Sequence, residues 1–480
     1  MADILITNGT VITMDKDRRV LDGGAVAIEG SRIAAVGATE TLQRTHPAPR
    51  VIDATRKVVM PGLIDGHAHA GHGLVKTLGG GRGDLWYRAC ERIYTVGSTE
   101  DYWRAEALLS AVERLKCGTT CGVSYLGGGD DIMRTDAPVY GARHCEAVRD
   151  VGIRNILAVG VCRPPFPRTF ARWDGDRRQD VAIDFGRQLE TCDELIGQWH
   201  GGADGRVRIA LSFPVQHPNA AECGEVPVEV VRDQAKAVRD LSRARGVLFT
   251  QDGIRRGCLK LAHEALGLLG PDAIFSHSVD LTDEEIALCR ATGARICHNP
   301  SANISVQGRC PVPELLDAGV TVMLGSDGTA PDRGYDMFRH MWQCMHYHRR
   351  HFRDTSYLPP GKVLEMATID GARALGLEGE IGSLEPGKKA DVILVDMFKP
   401  HLYPMNMPAY RIAYFANGAD VDTVLVDGKV LMEGRKVRTV DEAGVLEFAQ
   451  NECEAMLDRV GLRDLLGFPP KFWGHSRYLV

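Results

Sequence analysis

The chain has 480 residues, with 57 Lys and Arg against 63 Asp and Glu, a formal charge of −6; 44% of its residues are hydrophobic and 25% charged. That balance excludes intrinsic disorder and gives no positive field for nucleic acid. No apolar run approaches the ~18–20 residues that a bilayer span needs, so a membrane partner is not expected either.

Met1-Ala2-Asp3-Ile4-Leu5 lacks a basic segment followed by an apolar stretch, so no signal peptide is expected. The 13 cysteines are scattered and form no Cys-x-x-Cys pair. They read as buried thiols in a reducing compartment, and the expected location is cytoplasmic.

The first 60 residues read as short strands: Ile4–Thr7, a turn at Asn8-Gly9, Thr10–Met14, Ala25–Ile28, a turn at Glu29-Gly30, and Ile33–Val36. The same texture returns at Ala390–Val395, Thr423–Val426 and, after Asp427-Gly428, Lys429–Leu431. Residues 1–60 and 380–440 are therefore expected to meet in one composite β domain. Residues 61–379 alternate apolar strands with helical patterns. Strands are expected at Arg154–Val161, Val207–Phe213, Gly246–Thr250, Ala273–Ser276, Arg295–Cys297 and Thr321–Leu324. Helices are expected at Glu229–Ala244, Leu259–Leu269 and Thr282–Thr292. So many strand–helix units favour a closed (β/α)8 barrel over a doubly wound sheet, an α/β fold. Gly79-Gly80-Gly81 and Gly127-Gly128-Gly129 lack the ending of a phosphate loop and read as plain loops. Residues 441–480 read as a helix followed by an irregular tail.

The strongest chemical signal is Pro61-Gly62-Leu63-Ile64-Asp65-Gly66-His67-Ala68-His69. Two histidines at i and i+2 of a strand face one side and suit one metal ion. His-x-His alone is a weak signal. It gains weight from Phe275-Ser276-His277-Ser278 and Leu324-Gly325-Ser326-Asp327-Gly328, which place a histidine and an aspartate at the C-terminal ends of strands, where barrel enzymes carry their chemistry. Cys297-His298-Asn299-Pro300-Ser301-Ala302-Asn303 adds a polar loop between them.

Here the sequence resembles the amidohydrolase superfamily, with its metal-dependent barrel and a small β-sandwich domain built from both termini. Met60–His69 looks like the family's opening signature. Pro311–Val320, continuing to Gly325-Ser326-Asp327-Gly328, is similar to the branch of chlorotriazine hydrolases and guanine and adenosine-type deaminases. Ile381–Asp391 resembles the return into the β domain. The resemblance spans about residues 3–435. It implies that His67 and His69 are metal ligands, that Asp327 is a ligand and proton shuttle, and that His277 touches the activated water or the substrate oxygen. It also implies a hydrolase of C–N bonds acting on a small molecule as a homo-oligomer, a dimer or larger. Nitrogen and oxygen donors suit one divalent ion, Zn2+ first, with Fe2+, Co2+ or Mn2+ also compatible.

The departures from the family pattern bear on the reaction. Members of this branch carry a histidine ligand on the fifth strand and a glutamate three residues later; here Gln251 and Ile254 stand at those places. Val207–Phe213 offers no lysine to bridge two metals. One metal is thus expected, completed by Gln251 through its amide oxygen, by His277 moving inward, or by His217 reaching across. Without the glutamate, a ring nitrogen has no evident acid, so the sequence favours a small neutral amide, urea or (thio)carbamate, as in the mononuclear phenylurea and molinate hydrolases that this chain is similar to. Deamination or dechlorination of an N-heterocycle is the alternative, and would need Asp252 or His217 to do the glutamate's work; a non-catalytic assembly protein with this fold is a third reading. His72, Trp86, Phe249, Ile254 and Asn303 are expected to line the pocket. His346, His348 and His351 read as a solvated helix face, and Cys117, Cys121 and Cys297 as packing.

Overall fold

The computed structural model describes residues 2–80, 82–128, 132–218 and 226–476. A nine-stranded mixed sheet takes five strands from the N-terminal end (Ile4–Ile12, Val20–Glu29, Arg32–Ala38, Arg50–Asp53, Lys57–Pro61) and four from the C-terminal part (Val392–Asp396, Val421–Val426, Lys429–Glu433, Lys436–Val437). The two parts join where Lys57–Pro61 runs antiparallel to Val392–Asp396, Met60 opposite Ile393. Burial of β-branched residues such as Ile6, Val26, Val59 and Val392 holds the sheet.

Asn8-Gly9 is not the expected hairpin turn. Ile4–Ile12 is one strand, and the register shifts on either side of Gly9. Asn8 takes φ 61°, and a Cβ on Gly9 would lie 2.7 Å from Val59. The dipeptide makes a bulge that lets two strands close up, not a reversal. Glu29-Gly30 and Asp427-Gly428 do reverse the chain, with φ 57° at Gly30 and 71° at Gly428.

Eight parallel strands follow: Leu63–Asp65, Thr119–Tyr125, Arg154–Gly160, Val207–Ser212, Phe249–Gln251, Ala273–Ser276, Arg295–His298 and Val322–Leu324. Gly66 N donates to Leu324 O at 2.8 Å and Asp327 N to His67 O at 2.8 Å, bringing the first and last strands together. The fold is a TIM-like barrel with a mixed sheet from both termini. Its second strand and the hairpin Arg168–Asp174/Arg177–Ile183 were not among the expected strands.

Side chains alternate between two cores. Ile64, Val123, Ile156, Ala210, Ile274, Cys297 and Met323 pack with one another inside the barrel. Leu63, Leu157, Leu211, Phe249, Phe275, Ile296 and Leu324 pack outward against the helices. Within each strand this parity separates the side chains that face the barrel interior from those that face the helices.

Arg154 ties barrel to sheet. Its Nε donates to Asp391 Oδ2 at 2.7 Å and its Nη2 reaches Asp427. Breaking such a buried pair by removing one partner costs about 3–5 kcal/mol, because the remaining charge is uncompensated. Beyond the sheet, helix Glu442–Val460 packs on helix Glu100–Lys116, with Arg459 donating to Gly97 O at 2.9 Å.

Candidate active site at the barrel mouth

Five side chains from four strand ends converge. His67 Nε2 lies 3.2 Å from Asp252 Oδ1 and 3.4 Å from Asp327 Oδ1. His69 Nε2 lies 3.2 Å from Asp252 Oδ2 and 3.2 Å from Asp327 Oδ1. His277 Nε2 lies 3.0 Å from Asp252 Oδ1 and 3.7 Å from Asp327 Oδ1. All five are buried. His67, His69, Asp252 and Asp327 bring one donor atom each within 4.8 Å of the others.

Two of the three rings are aimed from behind. His69 Nδ1 donates to Gly127 O at 3.1 Å, and His277 Nδ1 to Asn303 Oδ1 at 3.1 Å, which leaves both Nε2 atoms facing the centre. Asp65 binds the first strand to the last. It accepts Ser326 N and Ser326 Oγ, both at 2.8 Å, and pairs with buried Arg114 at 2.9 Å. His277 and Asp327 take φ of 67° and 62°, a left-handed backbone that bends each side chain inward. Gly328 has no room for a side chain: a Cβ there would lie 2.8 Å from His72 Nδ1.

The structure corrects the fifth strand. Gln251 follows the outward parity of Phe249, and its Nε2 donates to Phe213 O at 3.0 Å and Pro214 O at 3.3 Å. Asp252 turns inward like Thr250, whose Oγ1 meets Tyr125 OH at 2.6 Å. Asp252, not Gln251, joins the histidines. Phe249 lies beneath Arg239, 5.2 Å from ring to guanidinium carbon, and Ile254 is buried. Phe249 therefore faces the helices and presents no apolar wall to the mouth. His217 sits beside Cys258, Nδ1 3.4 Å from Sγ, outside the four-donor group. His72 stacks on His69 with ring centroids 4.6 Å apart, and Trp86 meets His72 edge-on at 5.2 Å. Asp252 was legible only through the alternation running back from Phe249.

The donor set fits a divalent cation. His67 Nε2 and Asp252 Oδ1 are buried without a hydrogen-bond partner, so both are free to bind an ion between them. Burial pushes the Asp252 and Asp327 carboxyls up, but the imidazoles facing both, and Arg333 beside Asp327, hold them well below the usual carboxylate range. Burial would depress His69 and His277, yet the two carboxylates raise each to about 10. Two protons thus balance two carboxylates, and a divalent ion supplies the same charge.

A pH dependence follows. Histidines with a raised pKa stabilise fully below their unfolded value of about 6.5 and lose that contribution as pH rises through about 10. Metal must displace the proton of His69, one of its four donors, so its grip strengthens over the same range. Thermal melts of chelated protein should therefore fall from about pH 7 to about pH 9, while the stabilisation gained on adding Zn2+ grows. A gain that shrinks with pH would contradict this balance.

The comparisons agree with the geometry. The amidohydrolase family model matches residues 58–431, and a bacterial imidazolonepropionase-like composite domain matches residues 24–48 within the terminal sheet. The chain is 33% identical to a 5-methylthioadenosine/S-adenosylhomocysteine deaminase of Syntrophobacter fumaroxidans, covering 93% of this chain and 96% of that protein. It is 33% identical to a 5'-deoxyadenosine deaminase of Methanosarcina acetivorans, covering 96% and 99%. Among solved structures, an adenosine deaminase from Xanthomonas campestris with bound zinc superposes with a TM-score of 0.81 at 22% identity, over 95% of this chain and 99% of that one. A zinc complex of an atrazine chlorohydrolase from Arthrobacter aurescens gives 0.77 at 24% identity, over 94% and 100%. The chain belongs to the amidohydrolase family and is a hydrolase acting on carbon–nitrogen bonds other than peptide bonds. No described helix is long and apolar enough to cross a membrane.

Proposed function

We propose that the protein is a metal-dependent deaminase of a purine nucleoside of the adenosine type, or of a closely similar N-heterocycle. The near-full-length likeness to deaminases of 5'-modified adenosines carries this reading. The site supports it through Asp252, which brings an ionised carboxylate from the fifth strand into the cluster where the family's histidine ligand is missing. His67, His69, Asp252 and Asp327 would hold one divalent ion, Zn2+ by donor type. Bound there, such an ion lowers the pKa of a water to about 7 and polarises the electrophilic carbon's substituents.

The protein's own groups do the rest. Asp327 Oδ1 takes a proton from the attacking water and hands it to the departing nitrogen. The water oxygen bonds to the ring carbon, the C–N bond breaks, ammonia leaves with the proton from Asp327, and the remaining hydroxyl proton passes to the ring nitrogen as the carbon becomes a carbonyl. His277, its Nδ1 hydrogen held by Asn303, donates from Nε2 to the oxygen as charge develops there. His72 and Trp86 close the side of the site behind His69. Self-association belongs to the same reading, supported by the exposed aromatic run Trp342, Tyr410 and Phe415, linked through His346 and Tyr414.

Hydrolysis of a neutral amide, urea or (thio)carbamate is the second reading, favoured by one observation: Ile254 stands where a ring-protonating glutamate belongs. A carbonyl substrate does not need that proton. An ammonia-release assay separates the two readings. Adenosine, 5'-deoxyadenosine, 5'-methylthioadenosine and S-adenosylhomocysteine should yield ammonia and the 6-oxo product, with kcat/KM of about 10⁴ M⁻¹s⁻¹ or better on the preferred member. Silence on all four, with turnover of aryl ureas or carbamates, would replace the first reading by the second.

A further inference from the structure

The alternation that aims Cys297 into the barrel aims its neighbour His298 outward, beneath helix Met337–Phe352. That helix carries Cys344 and His348 one turn apart, on one face. His348 is not solvated as the sequence pattern suggested. It is fully buried, as are His298 and Cys344. The rings of His298 and His348 lie 5.6 Å apart, and one donor atom from each of the three residues falls within 4.8 Å of the others. His298 Nε2 and both ring nitrogens of His348 have no hydrogen-bond partner. Three such nitrogens at one buried point are an exception that protein interiors rarely leave unexplained.

We propose that His298, Cys344 and His348 form a second metal site, distinct from the barrel mouth, that takes a borderline or soft ion such as Zn2+. A thiolate with two imidazoles selects for that class and against Mg2+ or Ca2+, which prefer carboxylate and carbonyl oxygens. The inference does not rest on the proposed reaction, because it uses none of the residues at the barrel mouth.

Cobalt tests it, because a thiolate ligand gives Co2+ a charge-transfer band and the barrel mouth offers no thiolate among its four donors. Metal-free full-length protein titrated with Co2+ should take up two ions and develop that band. Cys344→Ser should lose the band and one ion while retaining the other ion and its hydrolytic turnover. His348→Gln should do the same, which covers the case of a Cys344 variant that fails to fold. Absence of the band at saturating Co2+, or a band that survives Cys344→Ser, would overturn the proposal. The Asp252→Ala variant keeps the outcomes apart: it should lose the other ion and keep the band.

Discussion

Asp252→Ala should strip the barrel mouth of its metal and reduce turnover by at least ~100-fold, whereas Gln251→Ala should leave both almost unchanged. Asp252 faces three imidazoles with two oxygens, so its loss removes a ligand and the charge that holds His67, His69 and His277 together. Gln251 spends its amide on the carbonyls of Phe213 and Pro214. Its removal should instead appear as a stability loss of about 1–3 kcal/mol from the buried Phe213 carbonyl left without that donor, while Pro214 O keeps Gln216 Nε2 at 3.0 Å. Metal content by elemental analysis and midpoint by denaturant titration read the two effects separately. The reverse pattern, metal lost with Gln251 and kept without Asp252, would restore the amide as the ligand.

The contrast shows what the sequence carried. His67, His69, His277 and Asp327 each stand in a short motif whose order along the chain was legible, and the structure brings all four to one point. Asp252 stands in no motif. Its direction depends on parity, and parity depends on Phe249 facing the helices under Arg239, a contact between segments that no local window contains. The same blindness put Phe249 in the pocket when its ring faces the helices under Arg239. It also made His348 a surface residue, because three histidines and two arginines within residues 346–351 look solvated until the helix is seated on His298. Asn8-Gly9 failed for a related reason. A turn signal is local, but whether the chain reverses or bulges was decided by Val59 on a neighbouring strand. Strands three to eight of the barrel were easy, since each is a short apolar run and burial on both faces leaves little else it can be, whereas Thr119–Tyr125, with its threonines, glycine and serine, carries no such run.

Asp327 is the place where metal binding and proton transfer can be pulled apart. Its Oδ1 lies between 3.2 and 3.7 Å from three imidazoles, while its Oδ2 faces Arg333 Nε at 3.6 Å. One oxygen therefore points at the metal position and the other is held in place by a guanidinium. Asp327→Asn keeps an oxygen donor of the same reach but cannot accept a proton at it. The variant should retain about one ion at the barrel mouth and lose at least ~100-fold in kcat, the usual scale for general acid–base catalysis. KM should change far less, because the substrate meets the same surface. Loss of the ion together with activity would make Asp327 chiefly a ligand. Near-normal kcat in a metal-replete variant would show that the water's proton leaves by another carrier, and Asp252, 3.0 Å from His277 Nε2 on the opposite side of the cluster, is the group already placed to take it.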